Sequence, residues 1–216
     1  MFIVSPQVRK LQALLTMKFI KLVIYFISLT ALLTGTALAE NVDKVADKLF
    51  KKVEAELTNL KQQNNLTVQS TKQLVEKELL VNIDEKFFAY KVLGKHLVKL
   101  TPEQKNEFVS VLKDTLVANY ASSLVNYNNE KIVLASSIMT NSNKGASITM
   151  KLVGENKTTQ LTTKWRFSDV EDKWLMYDFV IEGISLLQSK QKELAKVLAT
   201  SGPEATLELL KSKIKK

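Results

Sequence analysis

Residues 146–152 read Ala-Ser-Ile-Thr-Met-Lys-Leu: Ala146, Ile148, Met150 and Leu152 alternate with Ser147, Thr149 and Lys151. Strict alternation with a period of two puts the apolar set on one face of a strand. Residues 159–167 repeat it, with Leu161, Thr163, Trp165 and Phe167 set against polar partners. Upstream, 131–140 is rich in Ile, Val, Ser and Thr; downstream, 173–181 is bulky on both faces. Turn formers fill the short links, Asn141 to Gly145, Gly154 to Asn156 and Ser168 to Asp172. Four strands with links this short predict an antiparallel meander.

Outward from the strands the period becomes helical. Val42, Val45, Ala46, Leu49, Val53, Leu57 and Leu60 recur at steps of three and four and predict a helix over about 42–63, ended by Asn64-Asn65. Ser70, followed by Gln73, reads as a capping box for a helix over about 71–81. Asp84 caps the next helix, which carries Phe87, Phe88, Tyr90, Val92 and Leu93 and stops at Gly94. Thr101-Pro102-Glu103-Gln104 opens another: Thr101 caps, Pro102 takes the first helical position and Gln104 closes the box. This helix is expected to reach about Tyr127, with Phe108, Val111, Leu112, Leu116, Tyr120 and Leu124 on its buried face. Ser185 and Gln188 start a helix to about Ala199, Ser201-Gly202-Pro203 breaks it, and Leu207, Leu210 and Ile214 mark a last short one. Helices, strands, then helices again predict a single α+β domain with helices packed on one sheet.

The N-terminal region reads as an export signal. Lys18-Phe19-Ile20-Lys21 is basic, Leu22 to Leu33 is apolar, and Thr34 to Ala39 ends in an A-x-A pattern. The apolar run is short of the ~20 residues of a transmembrane helix. Residues 1–39 are therefore expected to be a signal peptide cleaved after Ala39, with translation starting at Met17; an uncleaved anchor and an extended basic segment are the alternatives. Residues 40–216 remain as one domain. Of the 31 bases, Arg9, Lys10, Lys18 and Lys21 precede residue 40, leaving 27 bases against 22 acids, a charge of +5. That excess is too small and too dispersed for a nucleic-acid binder. It suits anionic head groups or acidic surfaces, or simply solubility.

The chain offers little chemistry. It has no cysteine, one histidine (His96) and six glycines. Thiol chemistry is excluded, and no P-loop, GxGxxG or G-x-S-x-G motif is present. His96 has no acid or serine arranged around it. Asp178, between apolar residues of a strand, is either a general base with a raised pKa or, as favoured here, a structural carboxylate held by hydrogen bonds. The cap role of Ser185 accounts for it without nucleophilic chemistry. No catalytic residue, cofactor or metal site is assigned.

The run Trp174-Leu175-Met176-Tyr177-Asp178-Phe179-Val180-Ile181-Glu182-Gly183-Ile184-Ser185 resembles the W-x-x-Y-D-x-x-x-E-G-[IV]-S signature of the MlaC, or toluene-tolerance, family. Gly94-Lys95-His96, Thr101 to Gln104 and Glu76 to Leu80 agree with it, in the same order, over roughly residues 70–212. Gly94, Trp174, Tyr177, Asp178, Glu182, Gly183 and Ser185 carry the match. After Ser185 the chain departs from the pattern: Ser189-Lys190-Gln191 holds no arginine where many relatives have an N-Y-R-like run. The resemblance implies a non-enzymatic, monomeric carrier of phospholipid in the periplasm. Its implied partners are an outer-membrane lipoprotein–porin complex and an inner-membrane ABC transporter bearing MCE domains. It also implies an apolar cavity between a curved sheet and helices. Ile148, Met150, Leu152, Leu161, Trp165, Phe167 and Met176 are the candidate wall, and Met139, Met150 and Met176 supply adaptable side chains. Each of them reads equally as ordinary core.

Overall fold

A computed structural model of the protein describes residues 41–140 and 143–214. The proposed signal segment and its cleavage site lie outside the described residues. Among the described residues six α-helices and five strands follow in order: α1 Val42–Gln62, α2 Val68–Leu74, α3 Glu85–Leu93, α4 Pro102–Leu124, β1 Lys131–Thr140, β2 Gly145–Val153, β3 Thr158–Ser168, β4 Lys173–Ile181, β5 Ile184–Ser185, α5 Leu186–Thr200 and α6 Gly202–Ile214. The strands form one open, curved antiparallel sheet in sequence order. This is the expected α+β meander with a short fifth strand added.

Two bulges interrupt the ladder. Ala135 is an extra residue in β1, between the pairs Leu134–Met150 and Ser136–Thr149. Tyr177 is an extra residue in β4, between Lys164–Asp178 and Trp165–Met176. Such insertions bend a strand and strengthen its twist. β1 is also an outer edge, and Val133 and Ile138 on it are at least half exposed.

Most helix starts follow local sequence. Thr101 Oγ1 accepts the Gln104 N–H and the Gln104 side chain accepts the Thr101 N–H, so the box at α4 forms as read. Asp84 accepts the Phe87 N–H, and Gly94 ends α3 at φ 52°. The start of α2 differs from the expectation. Thr67, not Ser70, is the cap, and Ser70 sits at the third helical position, donating and accepting in a reciprocal box. The helix therefore begins a turn early. It then widens into a π-helical turn, Val75–Leu79, and tightens into a 3-10 turn, Leu80–Asn82.

The apolar side chains gather into two cores. One lies between the sheet and α1 with α2: Ala146, Ile148, Met150, Trp165 and Met176 pack on Val42, Ala46, Leu49, Phe50 and Val53. The other lies among α3, α4, α5 and α6, around Phe88, Leu93, Phe108, Leu112, Leu194 and Leu210. α4 contributes to both, with Val117 in the first and Phe108 and Leu112 in the second. A helix used on two sides needs more than one apolar stripe. This explains why Val111, Leu116, Tyr120 and Leu124 are only half-buried although the sequence reads them as a buried face.

Candidate functional site

A cavity of about 220 Å³ occupies the seam between the two cores. α1 contributes Phe50, Val53 and Leu57, and the irregular stretch after α2 contributes Val75, Leu79, Leu80 and Ile83. α4 runs along it from Val109 through Leu112, Leu116, Val117 and Tyr120 to Leu124. The fifteen steps from Val109 to Leu124 span about 22 Å at ~1.5 Å per residue, so the cavity is long as well as apolar. The sheet closes it with Ile132, Leu152, Leu161, Tyr177, Phe179 and Ile181. Strand pairing puts these together: Ile132 faces Leu152 and Leu161 faces Ile181. They occupy one end of the sheet, where β1 and β3 begin and β2 and β4 end.

The same sheet face is thus packed at one end and hollow at the other. Among the seven wall candidates, Leu152 and Leu161 border the cavity. Ile148, Met150, Trp165 and Met176 are no more than 1% exposed and pack against α1 and α2. Phe167 stands half-buried, edge-on to Trp174 with centroids 5.5 Å apart. Met139 lies 40% exposed on β1. The sequence reading missed the α1 and α4 walls. The available signal was in α4, whose apolar residues spread too widely for one buried stripe.

The residues of the signature run position the wall. Tyr177, the bulged residue, meets Phe87 edge-on at 5.1 Å. The Arg166 guanidinium lies over the Phe87 ring and pairs with Asp84, the α3 cap. Tyr120 packs on Phe179 at 5.7 Å, and burial pushes its phenol far above the ordinary range, with the Asp178 charge adding to the shift. Trp174 is buried in the first core.

Asp178 is buried and fully engaged. Ser185 Oγ donates to it at 2.7 Å, the Leu187 N–H donates at 3.0 Å, and Lys164 Nζ lies 3.2 Å away. Ser185 Oγ in turn accepts the Gln188 N–H at 3.1 Å, capping α5. One carboxylate therefore joins β4, β3 and the start of α5. The turn between β4 and β5 needs left-handed backbone at Glu182 (φ 49°) and Gly183 (φ 80°), and Glu182 accepts the Gln160 N–H. That turn is what brings Ser185 back to Asp178. Neither side chain borders the cavity.

Both cavity ends carry polar groups. At the β1 end the Tyr127 hydroxyl pairs with Thr58 at 2.9 Å, Lys61 donates to Asn128 at 2.6 Å, and Glu130 accepts the Asn128 N–H at 2.7 Å. Glu54 accepts from the Ile132 N–H and from Lys131. Burial pushes the Glu54 carboxyl up, but these two donors outweigh it and hold it below the usual range. At the α3 end stand Glu85 and Lys113, both half-buried. Burial raises the Glu85 carboxyl above its ordinary value despite Lys113 nearby. Across the described residues no cluster of three or more His, Cys, Asp or Glu could hold a metal, and no helix is long and apolar enough to cross a membrane.

The family model described as MlaC protein matches residues 44–212. The chain belongs to the MlaC family. Among its curated relatives, the intermembrane phospholipid transport system binding protein MlaC of Haemophilus influenzae is 27% identical over 187 residues, covering 83% of this chain and 86% of that one. The toluene tolerance protein ttg2D of Pseudomonas putida is 25% identical over 108 residues, covering 50% of this chain and 49% of that one. A solved phospholipid-binding protein from Ralstonia solanacearum, in complex with a phospholipid, superposes with a TM-score of 0.72 at 18% identity. It covers 80% of this chain and 96% of its own, so the MlaC-family chain shares its fold.

Proposed function

We propose that the protein is a phospholipid carrier of the periplasm, and that the long apolar cavity at the seam of its two cores holds acyl chain. The cavity carries the reading: its walls are aliphatic and aromatic, and it runs about 22 Å along α4. One leaflet of a bilayer core is about 15 Å deep, so an acyl chain fits lengthwise. The MlaC relative named for phospholipid transport and the fold shared with a phospholipid-bound protein support the cargo.

At about 0.8 kcal/mol per CH₂, hydrating two ordinary acyl chains costs on the order of 20 kcal/mol, which blocks unaided passage through water. A carrier has to match the bilayer rather than far exceed it, because a much tighter hold would prevent release. Direction then comes from partners, proposed as an inner-membrane MCE-domain ABC transporter complex and an outer-membrane lipoprotein–porin complex. The protein acts as a monomer without catalysing a reaction. In support, Asp178, the acid best placed by sequence to act as a base, has its oxygens occupied by three structural donors. The proposed cavity contacts are Leu152 and Leu161 from the original candidates together with Phe50, Leu116, Tyr120 and Phe179.

Isolation without detergent from a Gram-negative periplasm, followed by mass spectrometry of the extracted lipid, tests this. Phospholipid in near-stoichiometric amount is expected. Repeated recovery of protein free of lipid, and unable to take it from vesicles, would refute the carrier reading.

A further inference from the structure

The two ends of the cavity are chemically unequal. At the β1 end the side chains of Glu54, Thr58, Lys61, Tyr127 and Glu130 all have protein partners. At the α3 end Lys113 and Glu85 border the cavity with no hydrogen bond or ion pair to other described residues. Among the described residues that line the cavity, Lys113 is the one basic side chain. The half-exposed ammonium, on an apolar wall one turn of α4 from Leu116 and with the Glu85 carboxyl nearby, keeps hydrogen-bond donors free for a further anion.

We infer that Lys113 is the head-group anchor: the lipid enters tails first through the α3 end, and its phosphate comes to rest on the Lys113 ammonium beside Glu85. This rests on the carrier reading and adds polarity to it. A phosphodiester is a single negative charge with exposed oxygens, which a lysine meets as a point charge. Glu85, on the first turn of α3, then faces whatever lies beyond the phosphate. A carboxyl there accepts the ammonium of a zwitterionic head group and opposes an anionic one. Leu112, Phe88 and Leu186 line the same cavity and give the chains an apolar wall. A free phosphate would satisfy Lys113 but leave the cavity behind it empty, so the anion is assigned to a lipid.

The test compares two probes of equal chain length, lysophosphatidylcholine and the corresponding fatty alcohol, on delipidated wild type, K113Q, K113R and K61Q. Removing one charge-assisted contact weakens lysophospholipid about tenfold in K113Q. The fatty alcohol, which has no phosphate, stays within about twofold because its contacts are apolar. K113R restores lysophospholipid binding, and K61Q at the opposite end leaves it unchanged. Equal binding of lysophospholipid to K113Q and wild type, or an equal loss of both probes in K113Q, overturns the assignment. So does inorganic phosphate that binds through Lys113 without competing with lysophospholipid. If wild type binds neither probe, it is the carrier reading that fails.

Discussion

On the proposed carrier reading, removing the lipid should unmake part of the core. The cavity of about 220 Å³ is bounded by side chains that have packing partners on one side only. Core cavities cost about 24 cal/mol per Å³, so emptying this one costs about 5 kcal/mol relative to the filled state. For a domain of this size each kcal/mol moves the melting temperature by about 2–4 °C, which gives a drop of about 10–20 °C on delipidation. Differential scanning calorimetry of the protein as isolated, after delipidation, and after reloading from vesicles measures it. Leu116→Trp supplies the internal control, because Leu116 faces the cavity from α4 and is only half-buried. The larger ring should raise the melting temperature of the delipidated protein while lowering the lipid it takes up. A delipidated wild type melting within about 2 °C of the loaded form would mean that the cavity closes by itself. The argument that lipid completes the core would then be refuted.

Asp178→Ala leaves the Leu187 N–H and the Ser185 hydroxyl without their buried acceptor. At about 1–3 kcal/mol per unsatisfied group the loss is about 2–6 kcal/mol, read as a shift of the urea midpoint; unchanged stability with a lost turnover would instead favour an enzyme. Acid should loosen the α1 contacts. Lys52 donates to the buried Glu78 and holds its carboxyl below the ordinary 4.5, and Glu54 is also held low. A depressed folded pKa gives stability that is present above 4.5 and lost as pH falls through the lower folded value. Glu78→Gln should therefore flatten the fall in stability below pH 4.5; a profile as steep as that of wild type would show that Glu78 does not contribute to it.

Local signals decided much of the fold. The Thr101-Pro102-Gln104 box and the alternation over 146–152 each carry their own hydrogen-bond or side-chain geometry, so their elements form where the sequence places them. The start of α2 was ambiguous because Ser70 fits both the cap of one box and the third position of another, and Thr67 settles it by bonding Ser70. The π-helical turn at Val75–Leu79 has no local signature. It widens the helix among residues that line the cavity. Least legible was the difference between Leu152 and Met150. They share a strand face and an alternation, but Met150 meets the packed body of α1 and Leu152 meets empty space beside Ile132. That distinction depends on what stands across from a residue, which no one-dimensional pattern contains. The signature run marks the scaffold more than the container. Asp178, Ser185 and Glu182 tie strands to a helix, and of the seven residues that carry the signature Tyr177 is the one that lines the cavity.

The outer edge of the sheet bears on behaviour in concentrated solution. β1 offers ten residues of backbone on the sheet's edge, with Val133 and Ile138 exposed beside it. An uninterrupted edge of that length would template strands from other molecules. The extra residue Ala135 divides it, so an incoming strand can stay in step for only about half its length. Deleting Ala135 would leave the cavity walls in place and remove the interruption. The outcome to look for is aggregation during expression or storage, a colloidal penalty separate from cargo and from folding energy.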